Sequence, residues 1–241
     1  MRVLASENLE TMSRLAAGFV VAALRRRPDM VLCASAGNTP TGTYARLAAL
    51  HRRQPRLFTR IRILQIDEWG GLRRGDPVSC EADLHSKLLG PLQIGRDRFA
   101  GFRTDAARPR RECERIAQWL TKNGPIDVCI LGLGRNGHIA MNEPGPNLVP
   151  HAHVTELAPS SRMHSMLRRL PRKPRRGMTL GLGDILCSRK ILLLVSGRAK
   201  RGVLRRLLRP SITPRLPASV LWLHPDVTIL ADKDAAAGLN R

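Results

Sequence analysis

The chain has 241 residues, a length suited to one α/β domain, and hydrophobic residues make up 43% of it, enough for a full core. Aromatics are only 3%, with one Tyr and four Phe, which argues against an aromatic stacking platform for single-stranded nucleic acid and leaves the core to Leu, Val, Ile and Ala. The net charge is +22, but Arg supplies 35 of the 41 basic residues and Lys only 6, spread along the chain with no recognisable nucleic-acid module; the bias fits genome-wide base composition as well as selected function, so no nucleic-acid partner is expected and the charge reads as attraction for a small anionic substrate.

Leu9, Met12, Leu15, Phe19 and Ala23 follow helical spacing, with Ser6 as a candidate cap. Asp29 to Ser35 reads as a short buried strand, broken at Gly37-Asn38-Thr39-Pro40, and Thr41 to Leu50 as a helix. A second strand runs from Ile61 to Ile66 and ends at Asp67-Glu68-Trp69. Helix signals follow from Cys80 to Leu89 and from Glu112 to Leu120. A third strand, Ile126 to Leu131, runs into Gly132-Leu-Gly-Arg-Asn-Gly-His138. Lys190 to Val195 is a strand, Ala199 to Leu208 a helix, and Val227 to Leu230 the last strand. Two stretches read as loops, Pro144 to Pro150 and the basic Arg168 to Arg176. Strands alternating with helices imply a mostly parallel, doubly wound sheet with helices on both faces, in one domain over residues 1–241.

Cysteines at 33, 80, 113, 129 and 187 are odd in number and form no CxxC pair. Cys33 and Cys129 lie in apolar runs, where a thiol acts as a small hydrophobe, and a reducing cytoplasm is the expected setting. No signal-peptide pattern precedes the first helix, and no apolar run nears the roughly 20 residues a bilayer span needs, so no membrane association is expected.

Ligands of open parallel sheets bind at the carboxyl ends of strands, and four distinctive segments lie just after strands. In the first, Gly37 permits a tight turn into a helix whose free N–H groups suit an anion, with Asn38, Thr39 and Thr41 beside it. The Gly-Lys-Thr ending of a Walker motif is absent. The second is Asp67-Glu68. Adjacent carboxylates at a strand end point in different directions, so one faces the cleft and the other the scaffold. A carboxylate in a partly desolvated cleft suits abstraction of a proton next to a carbonyl, and the alternative is a capping or salt-bridging acid. The third holds His138 with Glu143 five residues on, a pair suited to proton relay, the carboxylate orienting the imidazole. The fourth places Lys200 in the first turn of a helix, either reinforcing a phosphate site or simply solvated.

Gly-Asn-Thr-Pro near 38, Ile-Asp-Glu-Trp near 67, Asn-Gly-His-Ile-Ala-Met-Asn-Glu-Pro near 140 and Ser-Gly-Arg-Ala-Lys near 198 occur in an order that resembles the glucosamine-6-phosphate deaminase/isomerase family, over about residues 10 to 232. The related 6-phosphogluconolactonases share the Gly-His but lack the Asn-Glu-Pro ending. Arg176 to Asp184 and Leu216 to His224 look most like the galactosamine-6-phosphate branch. The resemblance implies a modified doubly wound fold, no cofactor or bound metal, and conversion of an amino-sugar 6-phosphate to a ketose 6-phosphate plus ammonia. It makes Asp67 the base that moves the C2 proton to C1, His138 the ring-opening group and Glu143 its partner. Gly37 to Thr41 and Lys200 would hold the phosphate, with Arg168 or Arg162 supplying the guanidinium.

This chain has Asn136 where the deaminases usually have Asp; Asn can hydrogen-bond but cannot carry charge, so the expectation is either slower ring opening or Glu143 bearing the whole task. The allosteric arginine of some relatives falls near His153, so shared regulation is not implied. Relatives are often oligomers, and the resemblance allows a homo-oligomer without showing an interface. Two rival functions remain at this stage, a lactonase-like hydrolase and a binding-only sugar-phosphate sensor. The gluco or galacto preference is not legible.

Overall fold

Short aliphatic strands, each buried on both sides, form the centre of the molecule. The computed structural model describes residues 1–239. Its strands are β1 (Arg2–Ser6), β2 (Val31–Ala34), β3 (Arg62–Gln65), β4 (Asp67–Trp69), β5 (Phe99–Ala100), β6 (Val128–Gly132), β7 (His153–Glu156), β8 (Arg176–Thr179), β9 (Ile191–Val195) and β10 (Val227–Asp232). Its α-helices are α1 (Leu9–Arg26), α2 (Thr41–Arg53), α3 (Cys80–Leu84), α4 (Pro109–Asn123), α5 (Pro159–Arg162), α6 (Leu182–Leu186), α7 (Arg201–Leu207) and α8 (Lys233–Ala236).

Seven strands form one sheet in the order β1-β10-β9-β6-β2-β3-β5, and every pairing in it is parallel. Side chains of a strand alternate between faces, so the sheet divides the core in two. Leu32, Ile63, Val128, Ile130, Leu192 and Leu194 pack toward α1 and α2, onto Met12, Val20, Leu24, Tyr44 and Leu47. Cys33, Leu64, Cys129, Leu131, Leu193 and Val195 pack the other way, onto Cys113 and Ile116 of α4, Ile185 of α6 and Val203, Leu204 and Leu207 of α7. All five thiols are free, and Cys33, Cys80, Cys113 and Cys129 are buried. No helix is long and apolar enough to cross a membrane among the described residues.

The expected doubly wound α/β architecture is the one observed. Several local expectations change. Ser6 is the last residue of β1, and its hydroxyl donates to the carbonyls of Asn8 and Ala231; Asn8 is the cap of α1, accepting the Thr11 N–H at 2.8 Å. The Cys80 to Leu89 helix is α3 followed by a π turn over His85–Leu89. Residues Arg198–Lys200 form a 3-10 turn ahead of α7, so Lys200 precedes the α-helix. Asp67-Glu68-Trp69 is a strand, not a bare strand end: β4 pairs antiparallel with β8, and β8 with β7, in a second sheet of order β4-β8-β7. The strands β1, β5, β7 and β8 were not anticipated. They are short, or lie where polar and Gly residues break the apolar run that marks the others.

α4 carries a buried carboxylate held by two solvent-accessible arginines, which ties the sheet's β5 edge to the helix layer. Glu112 is 2% exposed; it accepts from the Arg103 N–H and guanidinium and from Arg115. Burial alone would raise its pKa, but the hydrogen bonds from Arg115 and Arg103 outweigh it and bring the value down from 4.5 to about 2. A depressed carboxylate pKa stabilises the fold above the unfolded value and loses that contribution as pH falls toward the folded one. Stability measured by urea unfolding is therefore expected to fall between about pH 4.5 and 2 in the wild type, with the Glu112→Gln chain lacking this part of the slope.

Candidate active site

The strand order brings the distinctive segments together. β9, β6, β2 and β3 are consecutive neighbours, so the loops leaving their carboxyl ends line one edge. The chain reverses its direction of travel across the sheet between β2 and β6, and such a switch point is where open α/β sheets form their clefts.

The β6 loop builds the imidazole site. His138 Nδ1 lies 3.3 Å from Glu143 Oε2 and 3.2 Å from Ser161 Oγ. Glu143 is brought back toward His138 by a tight turn: the Asn142 N–H donates to the Ile139 carbonyl at 3.1 Å, and Ala140 adopts φ +51°. The Asn136 amide donates to Glu143 Oε2 at 2.8 Å while its oxygen accepts the His138 N–H at 3.2 Å. Only this orientation of the amide satisfies both neighbours. Ala158 N–H adds a third contact to the Glu143 carboxylate, at Oε1. Burial would raise the Glu143 pKa, but His138, Ser161 and Asn136 bring it below the ordinary value. An ionised Glu143 keeps the proton of neutral His138 on Nδ1, leaving Nε2 as a base. The ring fits because position 134 is Gly: a Cβ there would stand 2.4 Å from His138 Cδ2 and Nε2.

Asp67 and Glu68 divide as their alternating directions require. Glu68 is fully buried. Its Oε1 accepts from the N–H groups of Trp69 (2.7 Å) and Cys80 (2.8 Å), and its Oε2 from Glu81 N–H (2.9 Å) and Gln65 Nε2 (3.0 Å). It is the capping acid of the alternative reading. The Asp67 carboxylate, by contrast, is half-buried and has no hydrogen-bond partner among the described residues. Burial, and secondarily the Glu68 charge, raise its pKa from 3.8 to about 7. Asp67 stands opposite Thr179 in the β4–β8 pairing, and Thr179 Oγ1 accepts the Met141 N–H, so the acid and the His138 loop share one support.

The anion side is more elaborate than the sequence suggested. Gly37 has φ +105°, but its N–H is taken by Asp83 Oδ2 at 2.9 Å and its carbonyl accepts from Thr41 Oγ1 and Lys87 Nζ. The Gly37 turn is thus tethered to α3 and the π turn, and the Thr41 hydroxyl proton is already used. Asn38 is exposed and Thr39 half-buried. Lys200 reaches across to the Leu133 carbonyl at 2.6 Å, and burial, then the Arg135 charge, lower its pKa. Arg168 is exposed, with no side-chain partner among the described residues. Arg162 Nε, Ser35 Oγ and Trp69 Nε1 are buried donors with no partner there. Ser161, Asp83, Lys87 and His164 had no assigned role in the sequence; no motif marks them, since α3, α5 and the segments just after them carry these residues to the site. A hollow of about 1050 Å³ lies elsewhere, between α4 and the small sheet, lined by Arg108, Cys113, Val154 and Met178.

Such an edge belongs to the α/β proteins that handle small anions at the carboxyl ends of a parallel sheet. The family model for glucosamine-6-phosphate isomerases/6-phosphogluconolactonase matches residues 5–229, and the chain belongs to that family. It is 36% identical over 224 residues to the putative deaminase AgaI of Escherichia coli (strain K12), covering 93% of this chain and 89% of that one. It is 37% identical to the glucosamine-6-phosphate deaminase of Geobacillus sp. (strain WCH70), covering 98% and 94%. A solved monomeric glucosamine-6-phosphate deaminase superposes with a TM-score of 0.93 at 35% identity, covering 98% of this chain and 99% of that chain. The 6-phosphogluconolactonase of Trypanosoma brucei shares the fold, with a TM-score of 0.78 at 21% identity and coverage of 99% and 98%.

The two adjacent acids are expected to respond oppositely to amide substitution. Glu68→Gln sets an NH2 against N–H donors and is expected to cost about 1–3 kcal/mol in urea unfolding. A carboxylate whose folded pKa is raised stabilises the fold below its unfolded value and loses that contribution as pH rises through about 7. Asp67→Asn is therefore expected to raise the unfolding midpoint at pH 8.

Proposed function

We propose that the protein converts an amino-sugar 6-phosphate and water to a ketose 6-phosphate and ammonia. The observation that carries this reading is Asp67: a carboxylate with no partner among the described residues, its pKa raised to about 7, on the same sheet edge as the His138–Glu143 pair. A base matched to neutral pH is what abstraction of a proton next to a carbonyl needs. Hydrolysis of a lactone needs no carbon base. The named deaminases that the chain resembles over nearly its whole length support the same reading.

In this mechanism the phosphate orients the substrate through the Gly37–Thr41 turn, Lys200 and Arg162, chosen over the other candidate Arg168 because its Nε is buried with no partner among the described residues. His138 Nε2 accepts the anomeric hydroxyl proton and returns it to the ring oxygen as the C1–O5 bond breaks, giving the aldehyde. Glu143 stabilises the imidazolium that forms meanwhile, and Asn136 supports that charge by donating to Glu143. Asp67 then removes the C2 proton, now acidic beside the aldehyde, and delivers it to C1, while a proton of the 2-ammonium group passes to O1, leaving a C1 alcohol. The resulting C2 imine adds water and releases ammonia. Positioning by the distant phosphate lets both proton transfers occur in one bound orientation.

Asp67→Asn is expected to lower kcat by about 10²–10⁴-fold with KM little changed; wild-type kcat under these conditions would remove Asp67 from the mechanism. In the wild type, kcat/KM should rise with pH as Asp67 loses its proton, with a limb near 7 that is absent in the variant. Ammonia release from glucosamine 6-phosphate and galactosamine 6-phosphate, measured side by side, is expected for at least one, and the ratio of kcat/KM names the epimer. Hydrolysis of 6-phosphogluconolactone with no ammonia from either would replace this reading by the lactonase.

A further inference from the structure

His164 follows α5 and precedes a short 3-10 turn over Ser165–Leu167. Leu167 is fully buried among Trp69, Leu72, Cys80, Met141 and Leu157, which pins the segment beside the cleft. The His164 ring lies against Trp69, with centroids 5.7 Å apart. Its edge stands over Gly37: Cε1 and Nε2 are 3.8 and 3.9 Å from where a Cβ on Gly37 would be. Nδ1 accepts the Met166 N–H at 3.3 Å. That bond selects one neutral tautomer, with the proton on Nε2, so the nitrogen over the Gly37 turn is a donor. Nε2–H has no acceptor among the described residues.

We propose that His164 is a substrate-binding residue whose Nε2–H donates to the phosphoryl group at the Gly37–Thr41 turn. This rests on the reading of that turn as the phosphate site. It adds a ring donor to a cradle otherwise made of the turn, an ammonium and a guanidinium.

The charges around the ring give the contact a pH signature. His138 faces it from the β6 loop, Lys200 from the turn before α7, Lys87 from the π turn and Asp83 from α3. Burial, then His138 and Lys200, hold the imidazole below its ordinary value, with Lys87 adding to this and Asp83 opposing it. A bound phosphate dianion supplies the missing opposite charge. It raises the imidazole pKa, so binding takes up a proton and the hydrogen bond becomes charge-assisted. The contribution of His164 is then greatest at low pH and falls as pH rises through the raised value.

The test uses inorganic phosphate as the probe on the full chain. NMR of the labelled imidazoles identifies His164 by its loss in His164→Phe, a variant that keeps a ring against Trp69. Phosphate is expected to raise the titration midpoint of His164, and His164→Phe to weaken phosphate binding roughly 10-fold. His164→Gln, which carries an amide donor at similar reach, is expected to restore part of the loss. A His164 midpoint unmoved by saturating phosphate, or unaltered affinity in His164→Phe, overturns the proposal. Lys200→Ala separates the two levels. If it weakens phosphate binding while His164→Phe does not, only the role of His164 fails; if neither variant changes the affinity, the phosphate site itself is misplaced and both readings fail.

Discussion

The buried carboxylate of Glu68 is the contact on which the rest of the site depends. It gathers the N–H groups of Trp69, Cys80 and Glu81 and the amide of Gln65 around one acceptor. In doing so it joins the end of β3, the strand β4 and the start of α3. α3 then reaches the Gly37 turn through Asp83, and the turn after it does so through Lys87. The same charge adds to the burial that holds the Asp67 pKa up. One buried acid thus positions Asp67, supports its pKa and anchors the wall of the Gly37 turn. Its own pKa is raised by burial, against which all its hydrogen bonds work.

The two proton-handling groups are set up by opposite means. Asp67 is half-buried and unpartnered, so desolvation dominates and its proton is held until near neutrality. Glu143 is ringed by donors from Asn136, Ala158 and the His138–Ser161 side, so hydrogen bonding overcomes burial and it stays ionised. Groups whose surroundings push their pKa values apart can take separate tasks in one cleft at one pH. Asn136 fits this division. An aspartate there would bring a second carboxylate against Glu143, whereas the amide donates to it and carries the His138 N–H as well.

Where the sequence reading and the structure differ, the differences share a cause. Apolar runs such as Cys129 to Leu131 and Ile191 to Val195 announce buried strands, and the loops after them are adjacent in sequence to those runs. The placement of Gly37, Asp67, His138, Glu143 and Lys200 just after buried strands was therefore legible. Arg176–Thr179 and His153–Glu156 carry no such run; they are strands because β4 and each other supply hydrogen-bond partners. Ser161, Arg162 and His164 lie on a segment with no motif of its own, brought to the cleft by packing of Leu167 beneath it.

The sequence by itself determined the alternation of buried strands and amphipathic helices, and with it a parallel sheet whose carboxyl edge carries Asp67 and the His138–Glu143 pair, because periodicity and strand-end position are local properties. Only the tertiary structure decided which of Asp67 and Glu68 is buried among backbone N–H groups, that Asp83 and Lys87 already occupy the Gly37 peptide, and that Arg162 rather than Arg168 holds a buried donor with no partner among the described residues. Those outcomes depend on desolvation and on hydrogen-bond partners far away in the chain, which no local pattern of residues records.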